Sequence, residues 1–124
     1  IFKVLVVEDN RINQLVTKKI MEKNLYKCCV VDDGYEALKI LETEIFDIIL
    51  MDINMPLLNG FETTRLIRNK NITTPIIALT AFDKEEISEE AISAGMNDII
   101  IKPFDQSKLF KAMSTLIYDA KNVG

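Results

Sequence analysis

Apolar residues in this chain fall into two alternating kinds of segment. Short, nearly unbroken apolar runs occur at Val4–Val7, Cys28–Val31, Ile48–Met51, Ile76–Leu79 and Ile99–Ile101. Runs of that length, rich in β-branched residues, read as strands covered on both faces. Between them, apolar residues recur at helical spacing. The first such segment, from Asn10 to about Lys23, places Ile12, Leu15, Val16 and Ile20 on one face, with Asn10 as its N-cap. The second begins near Gly34 and carries Ala37, Leu38 and Leu41. The third follows Asn59-Gly60 with Phe61, Leu66 and Ile67, and has the weakest pattern. The fourth runs from about Asp83 through Ile87, Ala91 and Ala94 and stops at Gly95, a residue suited to a left-handed helix end. The fifth starts after Asp105 or Ser107. Its stripe of Leu109, Ala112, Met113, Leu116 and Ile117 is the clearest in the chain.

Strand and helix alternating five times predict a single doubly wound (βα)5 domain of the α/β class, a parallel five-stranded sheet with helices on both faces. The common flavodoxin-like strand order is 2-1-3-4-5, with its switch point between the first and third strands. That order has a consequence for the strand ends. Strand one runs into Glu8-Asp9, strand three ends on Asp52, strand four on Thr80 and strand five on Lys102. Strands one and three would lie about 4.8 Å apart, so three carboxylates converge with a hydroxyl and an ammonium beside them. Strand two contributes only Asp32-Asp33, at the sheet edge away from this cluster.

Composition narrows the chemistry. The 124 residues suffice for one domain spanning 1–124, and 48% hydrophobic with 27% charged residues is ordinary globular usage. Net charge is −4 with basic residues scattered, which argues against nucleic-acid binding. No apolar stretch approaches the ~20 residues of a bilayer span, so no membrane contact by this domain is expected. No signal peptide is expected, since the sequence goes straight into the first strand. The chain opens on Ile1 without an initiator Met, which reads as a piece of a longer polypeptide. The tail Asp119–Gly124 reads as the frayed end of the last helix or the start of a linker. Cys28 and Cys29 are neighbours in a strand and read as buried core thiols in a reducing compartment. The expected location is therefore the cytoplasm, any membrane anchor belonging to the rest of the parent chain. Histidine is absent, which removes imidazole metal sites and Ser-His or Cys-His catalysis.

Each member of the cluster has a bland reading. Glu8-Asp9 can start a helix, Asp52 can cap or turn, and Thr80 can simply end a strand. Their joint placement is harder to dismiss. Three close carboxylates cannot all stay ionised without a cation, and an open, partly hydrated oxygen site suits Mg2+. Shielded in this way, Asp52 could attack an electrophilic phosphorus. Lys102, Thr80 and the cation would meet the charge on the transferring oxygens.

The pieces Val6-Val7-Glu8-Asp9-Asn10, Met51-Asp52-Ile53-Asn54-Met55-Pro56 with Asn59-Gly60, Ala78-Leu79-Thr80-Ala81 and Lys102-Pro103-Phe104 together resemble the receiver domain of two-component response regulators. The resemblance covers essentially the whole chain. Glu8-Asp9-Asn10 followed by Asn13 is similar to receivers of hybrid sensor histidine kinases and their phosphorelays. The resemblance implies that Asp52 is the phosphoacceptor. It makes Asp9 a direct Mg2+ ligand, Glu8 a ligand through water and the backbone carbonyl of Asn54 a further ligand. Lys102 would hold the phosphoryl group and Thr80 would be the switch hydroxyl. It further implies a phosphohistidine donor on a histidine kinase or histidine phosphotransfer domain, and a cis Lys102-Pro103 bond.

By the same resemblance the domain is not an enzyme in its own right, but a phosphoacceptor that assists its own phosphorylation and dephosphorylation. The partner is expected beside the site mouth, at Pro103-Phe104 and on the first helix, where Asn13 and Thr17 lie one turn apart. Ile99 stands where many family members carry Tyr or Phe, so activation is expected to run through Thr80 and the fourth helix. Homodimerisation on phosphorylation, the cognate kinase and the output stay open. Two alternatives stand beside this reading. A phosphate-independent interaction domain on the same fold would not need the full acid, threonine and lysine set. An aspartyl-phosphate hydrolase of the haloacid-dehalogenase kind would place its nucleophile after the first strand with a second acid two residues on, where this chain has Asn54.

Overall fold

The computed structural model describes residues 1–122. Five strands and five helices alternate: β1 (Lys3–Val7), α1 (Arg11–Lys23), β2 (Lys27–Val31), α2 (Gly34–Ile40), β3 (Ile48–Asp52), α3 (Gly60–Asn69), β4 (Ile76–Thr80), α4 (Lys84–Ala94), β5 (Asp98–Ile101) and α5 (Gln106–Asn122). All strand pairs are parallel and the sheet order is β2-β1-β3-β4-β5, as the sequence predicts.

The central strands are buried because both faces are covered. Successive side chains point to opposite faces. Val4, Val6, Ile48, Leu50, Ile77 and Leu79 pack with Met21 of α1 and Leu109, Met113 and Ile117 of α5. Leu5, Val7, Ile49, Met51, Ile76 and Ala78 pack on the other side with Ala37, Phe61, Ile67, Ile87 and Ala91 from α2, α3 and α4. Each fully buried aliphatic side chain contributes about 1.5–3 kcal/mol, which fixes register: a one-residue slip would turn every such side chain to the wrong face. Asp52 therefore ends β3 at a set height, paired with Leu79 of β4.

The turn after β3 is pinned just as firmly. Gly60 N–H donates to Ile53 O at 2.9 Å, and a Cβ at Gly60 would collide with the Asp52 carbonyl oxygen. Only glycine allows α3 to start against the strand end. Asn59 and Glu62 close a reciprocal cap, Glu62 N–H to Asn59 Oδ1 at 2.8 Å and Asn59 N–H to Glu62 Oε1 at 2.9 Å.

Four local expectations differ from the structure. The apolar stripe of α1 faces outward: Ile12 is 71% exposed, Leu15 and Val16 are also exposed, and Ile20 is half-buried. Gln14, Thr17 and Met21 face the sheet instead. Periodicity fixes the presence of a stripe and not the side it turns to the core; here the inward side carries Gln14, hydrogen-bonded to the Glu8 carbonyl, with Thr17 and Met21. In α3, Leu66 is exposed while Thr63 and Thr64 are buried, their hydroxyls each donating at 2.8 Å to Asn59 O and Gly60 O. Thr back-bonded to the preceding turn is effectively apolar, which explains the weak pattern. Cys28 and Cys29 are half-buried rather than core, because β2 is an edge strand. Burial pushes the Cys28 thiol up to about 12, assisted by Glu22, so it stays protonated. Finally, Asp119–Asn122 continue α5; the rest of the expected frayed end, Val123 and Gly124, lies outside the described residues. Among the described residues no helix is long and apolar enough to cross a membrane.

Candidate functional site

The carboxyl ends of β1, β3, β4 and β5 carry the site. Glu8 and Asp9 follow β1, whose last residue Val7 pairs with Met51, next to Asp52. Carboxylate oxygens of Glu8, Asp9 and Asp52 all lie within 4.8 Å of one another. Glu8 and Asp52 are buried, 4% and 9% exposed, and Asp9 is open to solvent. Lys102 projects from the end of β5 between the two buried acids, its Nζ 3.0 Å from Glu8 Oε1 and 3.7 Å from Asp52 Oδ1. Thr80 ends β4, one residue beyond the partner of Asp52, and is buried. Its Oγ1 accepts the Phe82 N–H at 3.0 Å. Asn54 lies two residues past β3 in the following loop and is exposed. The Lys102-Pro103 bond is cis, as expected.

The two buried acids divide the burden unequally. Burial pushes the Asp52 carboxyl up to about 7; Lys102 opposes this, while Glu8 and Asp9 add to it. Burial also works to raise Glu8, but the Asn10 N–H and the Lys102 ammonium outweigh it and hold Glu8 below the usual carboxylate range. Asn10 N–H donates to Glu8 Oε2 at 3.1 Å and Lys102 to Oε1 at 3.0 Å. Both Glu8 oxygens thus have donors, whereas the lysine stands farther from Asp52, at 3.7 Å. A carboxyl that is half protonated near neutrality is a poor nucleophile. A hard divalent cation among three such oxygens would restore its ionisation, and the donor set, all oxygen with one open acid, is of the kind that suits such ions.

Sequence reasoning brings Glu8, Asp9, Asp52, Lys102 and Thr80 to this end of the sheet, and the structure places them there. It misses two residues. Gln14, buried at 7% exposure, donates from Nε2 to the Glu8 carbonyl at 2.6 Å and to Asp32 Oδ1 at 2.7 Å. Asp32, placed by the sequence at an edge away from the cluster, is thereby tied to it. A polar residue between the apolar positions of α1 was the available signal, and it reads as solvent-facing only if the apolar stripe is taken to face the core. Thr17, expected at the surface with Asn13, is buried while Asn13 is exposed.

The response regulator receiver domain family matches residues 4–114. Among curated proteins, the autoinducer 2 sensor kinase/phosphatase LuxQ of Vibrio vulnificus is 42% identical over 108 residues, covering 86% of this chain and 13% of that protein. The CAI-1 autoinducer sensor kinase/phosphatase CqsS of Vibrio cholerae is 38% identical over 120 residues, covering 93% of this chain and 17% of that protein. The chain thus spans less than a fifth of these relatives. Among solved structures, a Francisella response regulator receiver domain superposes with a TM-score of 0.90 at 33% identity, over 97% of this chain and 99% of that one. The receiver domain of a Pseudomonas aeruginosa sensor histidine kinase, with a magnesium ion coordinated in its active-site cleft, superposes with a TM-score of 0.85 at 37% identity, over 94% of this chain and 97% of that one. Fold, strand-end acids and these matches agree: the chain belongs to the response regulator receiver domain family of two-component signalling.

Proposed function

We propose that Asp52 accepts a phosphoryl group from a phosphohistidine on a histidine kinase or histidine phosphotransfer domain. The observation that carries this reading is the convergence of the Glu8, Asp9 and Asp52 carboxylates within 4.8 Å, with Lys102 Nζ 3.7 Å from Asp52. Glu8, Asp9, Asp52 and the backbone carbonyl of Asn54 would hold Mg2+, the ion held in the cleft of the Pseudomonas relative. Bound there, Mg2+ supplies charge neutralisation for the acceptor carboxylate and for the transferring oxygens. A carboxylate oxygen of Asp52 forms the new O–P bond as the P–N bond of the phosphohistidine breaks. The electron pair returns to the imidazole nitrogen. Lys102, already paired with both acids, turns its ammonium to the arriving phosphoryl oxygens. Thr80 donates its hydroxyl proton to one of them, and this shift is the switch. The domain acts as a phosphoacceptor rather than as an enzyme with its own turnover, and its groups also assist hydrolysis of the acyl phosphate.

The donor has to approach from the open side. Next to Glu8 and Lys102 a groove of about 470 Å³ is lined by Asn13, Val16, Ile20, Pro103 and Phe104. It continues onto the exposed apolar face of α1 with Ile12 and Leu15. A groove continuous with the acceptor site and apolar at its outer wall fits an amphipathic helix that carries the phosphohistidine. We read residues 1–124 as the receiver module of a longer polypeptide, as its matches are parts of longer sensor kinases. Incubation with acetyl phosphate and Mg2+ tests the acceptor directly by intact-protein mass. One phosphate per chain is expected, absent in Asp52→Asn and with EDTA. Full-yield labelling of Asp52→Asn removes the assignment.

A further inference from the structure

Glu8 is held at its carboxylate by Asn10 and Lys102, but its main chain is also held, and by a residue with no part in the chemistry described above. Its N–H donates to Val31 O at 3.1 Å. Its carbonyl accepts from Gln14 Nε2 at 2.6 Å, and the same nitrogen donates to Asp32 Oδ1 at 2.7 Å. Asp32 is in turn fixed by its own N–H, which donates to Glu36 Oε1 at 2.9 Å at the start of α2. One buried amide thus spans the ends of β1 and β2 and uses both of its hydrogens. The orientation of α1 allows this bond. Turning the apolar stripe inward would carry Gln14 to solvent and leave the Glu8 carbonyl without it.

We propose that Gln14 is a positioning residue for the acid pair, clamping the β1–α1 turn so that Glu8 and Asp9 face Asp52 at cation-binding distance. The inference rests on the reading of the acid cluster as a Mg2+ site. Glu8-Asp9 sit on a turn, and turns are the movable part of a sheet-end site. The strand holds Glu8 from the N–H side only. Without the Gln14 bond the carbonyl of Glu8 is free to rotate, and the Glu8-Asp9 peptide plane turns with it, carrying the Asp9 carboxylate away. Outer partners that orient ligands typically contribute 10- to 100-fold in metal affinity. A hold on the backbone rather than on the ligating oxygen falls at the lower end, about tenfold.

The test compares Mg2+ dissociation constants, by calorimetry or amide NMR titration, with urea stability in EDTA. The variants are Gln14→Met, Gln14→Glu, Asp32→Asn, Asp32→Ala and the pair Gln14→Glu/Asp32→Asn. Gln14→Met, matched in size without the amide, should bind Mg2+ about tenfold more weakly. Asp32→Asn keeps an acceptor for Gln14 and should bind within about twofold of wild type. Gln14→Glu sets a carboxylate against Asp32 and should lose both stability and affinity. In the pair, the amide introduced at position 32 donates to the carboxylate introduced at position 14, so stability should recover relative to Gln14→Glu alone. That carboxylate cannot donate to the Glu8 carbonyl, so the Mg2+ affinity of the pair should stay about tenfold weak. This split separates positioning from a merely structural role. Should Gln14→Met not fold, Asp32→Ala, which frees one anchor of the amide, should still weaken Mg2+ by about two- to threefold. Wild-type affinity in a folded Gln14→Met, or affinity recovered in step with stability in the pair, overturns the proposal. A wild-type chain that binds no Mg2+ overturns the metal site itself, and this inference with it.

Discussion

Replacing Asp52 with Asn should stabilise the domain when no cation is present, and by an amount that depends on pH. The Asp52 carboxyl titrates at about 7 in the folded protein against an ordinary value of 3.8. In the unfolded chain it therefore ionises near pH 4, while in the folded chain it keeps its proton to near pH 7. Between those values the native state binds more protons than the unfolded state, so its stability falls as pH rises. Above the folded value the loss is complete. At about 1.4 kcal/mol per unit, the penalty reaches at most about 4 kcal/mol, and local relaxation brings the expected range to roughly 2–4 kcal/mol. Asn has the same shape and no charge. In EDTA, Asp52→Asn should match wild type near pH 4 and exceed it progressively to pH 8, with a melting temperature higher by roughly 6–15 °C at the upper end. Mg2+ should close part of the gap, because it stabilises the ionised wild-type site by mass action and the variant less. Urea titrations at pH 4, 5, 6, 7 and 8 with and without Mg2+ provide the measurement. Equal stabilities at pH 8 in EDTA, or a gap that widens on acidification, would refute the electrostatic account of the site.

Four other outcomes follow from the geometry. Gly60→Ala drives a Cβ into the Asp52 carbonyl oxygen and should cost about 1–3 kcal/mol of urea stability together with acetyl-phosphate labelling; unchanged labelling would separate the turn from the site. Lys102→Met removes the ammonium that faces both buried acids, so a carboxyl carbon NMR titration in EDTA should find Asp52 shifted further above about 7, while a lower value would mean another group holds it. Val16→Lys on the exposed face of α1 should leave stability within about 0.5 kcal/mol and acetyl-phosphate labelling intact while slowing transfer from a phosphohistidine partner. Thr80→Val keeps the shape and loses the hydroxyl; Asp52 should still be labelled, but beryllofluoride-induced amide shifts between Ala81 and Gly95 should shrink, and full-size shifts would exclude the hydroxyl as the switch.

What the sequence made legible and what it hid divide along a physical line. Strand identity is legible because Val4–Val7 of β1, Ile48–Met51 of β3 and Ile76–Leu79 of β4 are unbroken apolar runs, and in the 2-1-3-4-5 order the ends at Asp52, Thr80 and Lys102 fall together. The helices were legible in type but not in rotation. Ile12, Leu15 and Val16 repeat as a core stripe would, yet the binding energy of that stripe is available to a partner rather than to the sheet. The inward side of α1 carries Gln14, Thr17 and Met21, and Gln14 is accommodated there by a hydrogen bond to a main-chain carbonyl that no periodicity encodes. Thr63 and Thr64 are hidden from a periodicity reading for a related reason, since a hydroxyl satisfied by its own helix is polar in the sequence and apolar in the core. The tie to Asp32 is not legible because strand order gives neighbours across the sheet, not side chains that reach around it.

Thr80 illustrates how the same hydrogen-bond logic reaches beyond the site. Its oxygen already accepts the Phe82 N–H at 3.0 Å, which leaves the hydroxyl proton free to be donated. A phosphoryl oxygen on Asp52 can therefore be bound without breaking the existing bond, and any movement of Thr80 is passed to Phe82. Phe82 adjoins Asp83, the N-cap of α4, which accepts the Glu85 N–H at 3.1 Å. A pull on Thr80 would arrive at a helix that few buried side chains hold. α4 buries only Ile87, Ala91 and Ala94, and two of those side chains are methyl groups. Glu85 and Glu89, and likewise Glu86 and Glu90, stand four residues apart with like charge, each pair costing about 0.2–0.5 kcal/mol of helix stability. A cleft of about 130 Å³ beside Ala91, Ile92 and Ile99 leaves space between α4 and β5. Ile99 itself is packed in the core and β-branched, so it moves less readily than the helix over it. Movement started at Thr80 thus has a path through α4 that needs no aromatic ring on β5.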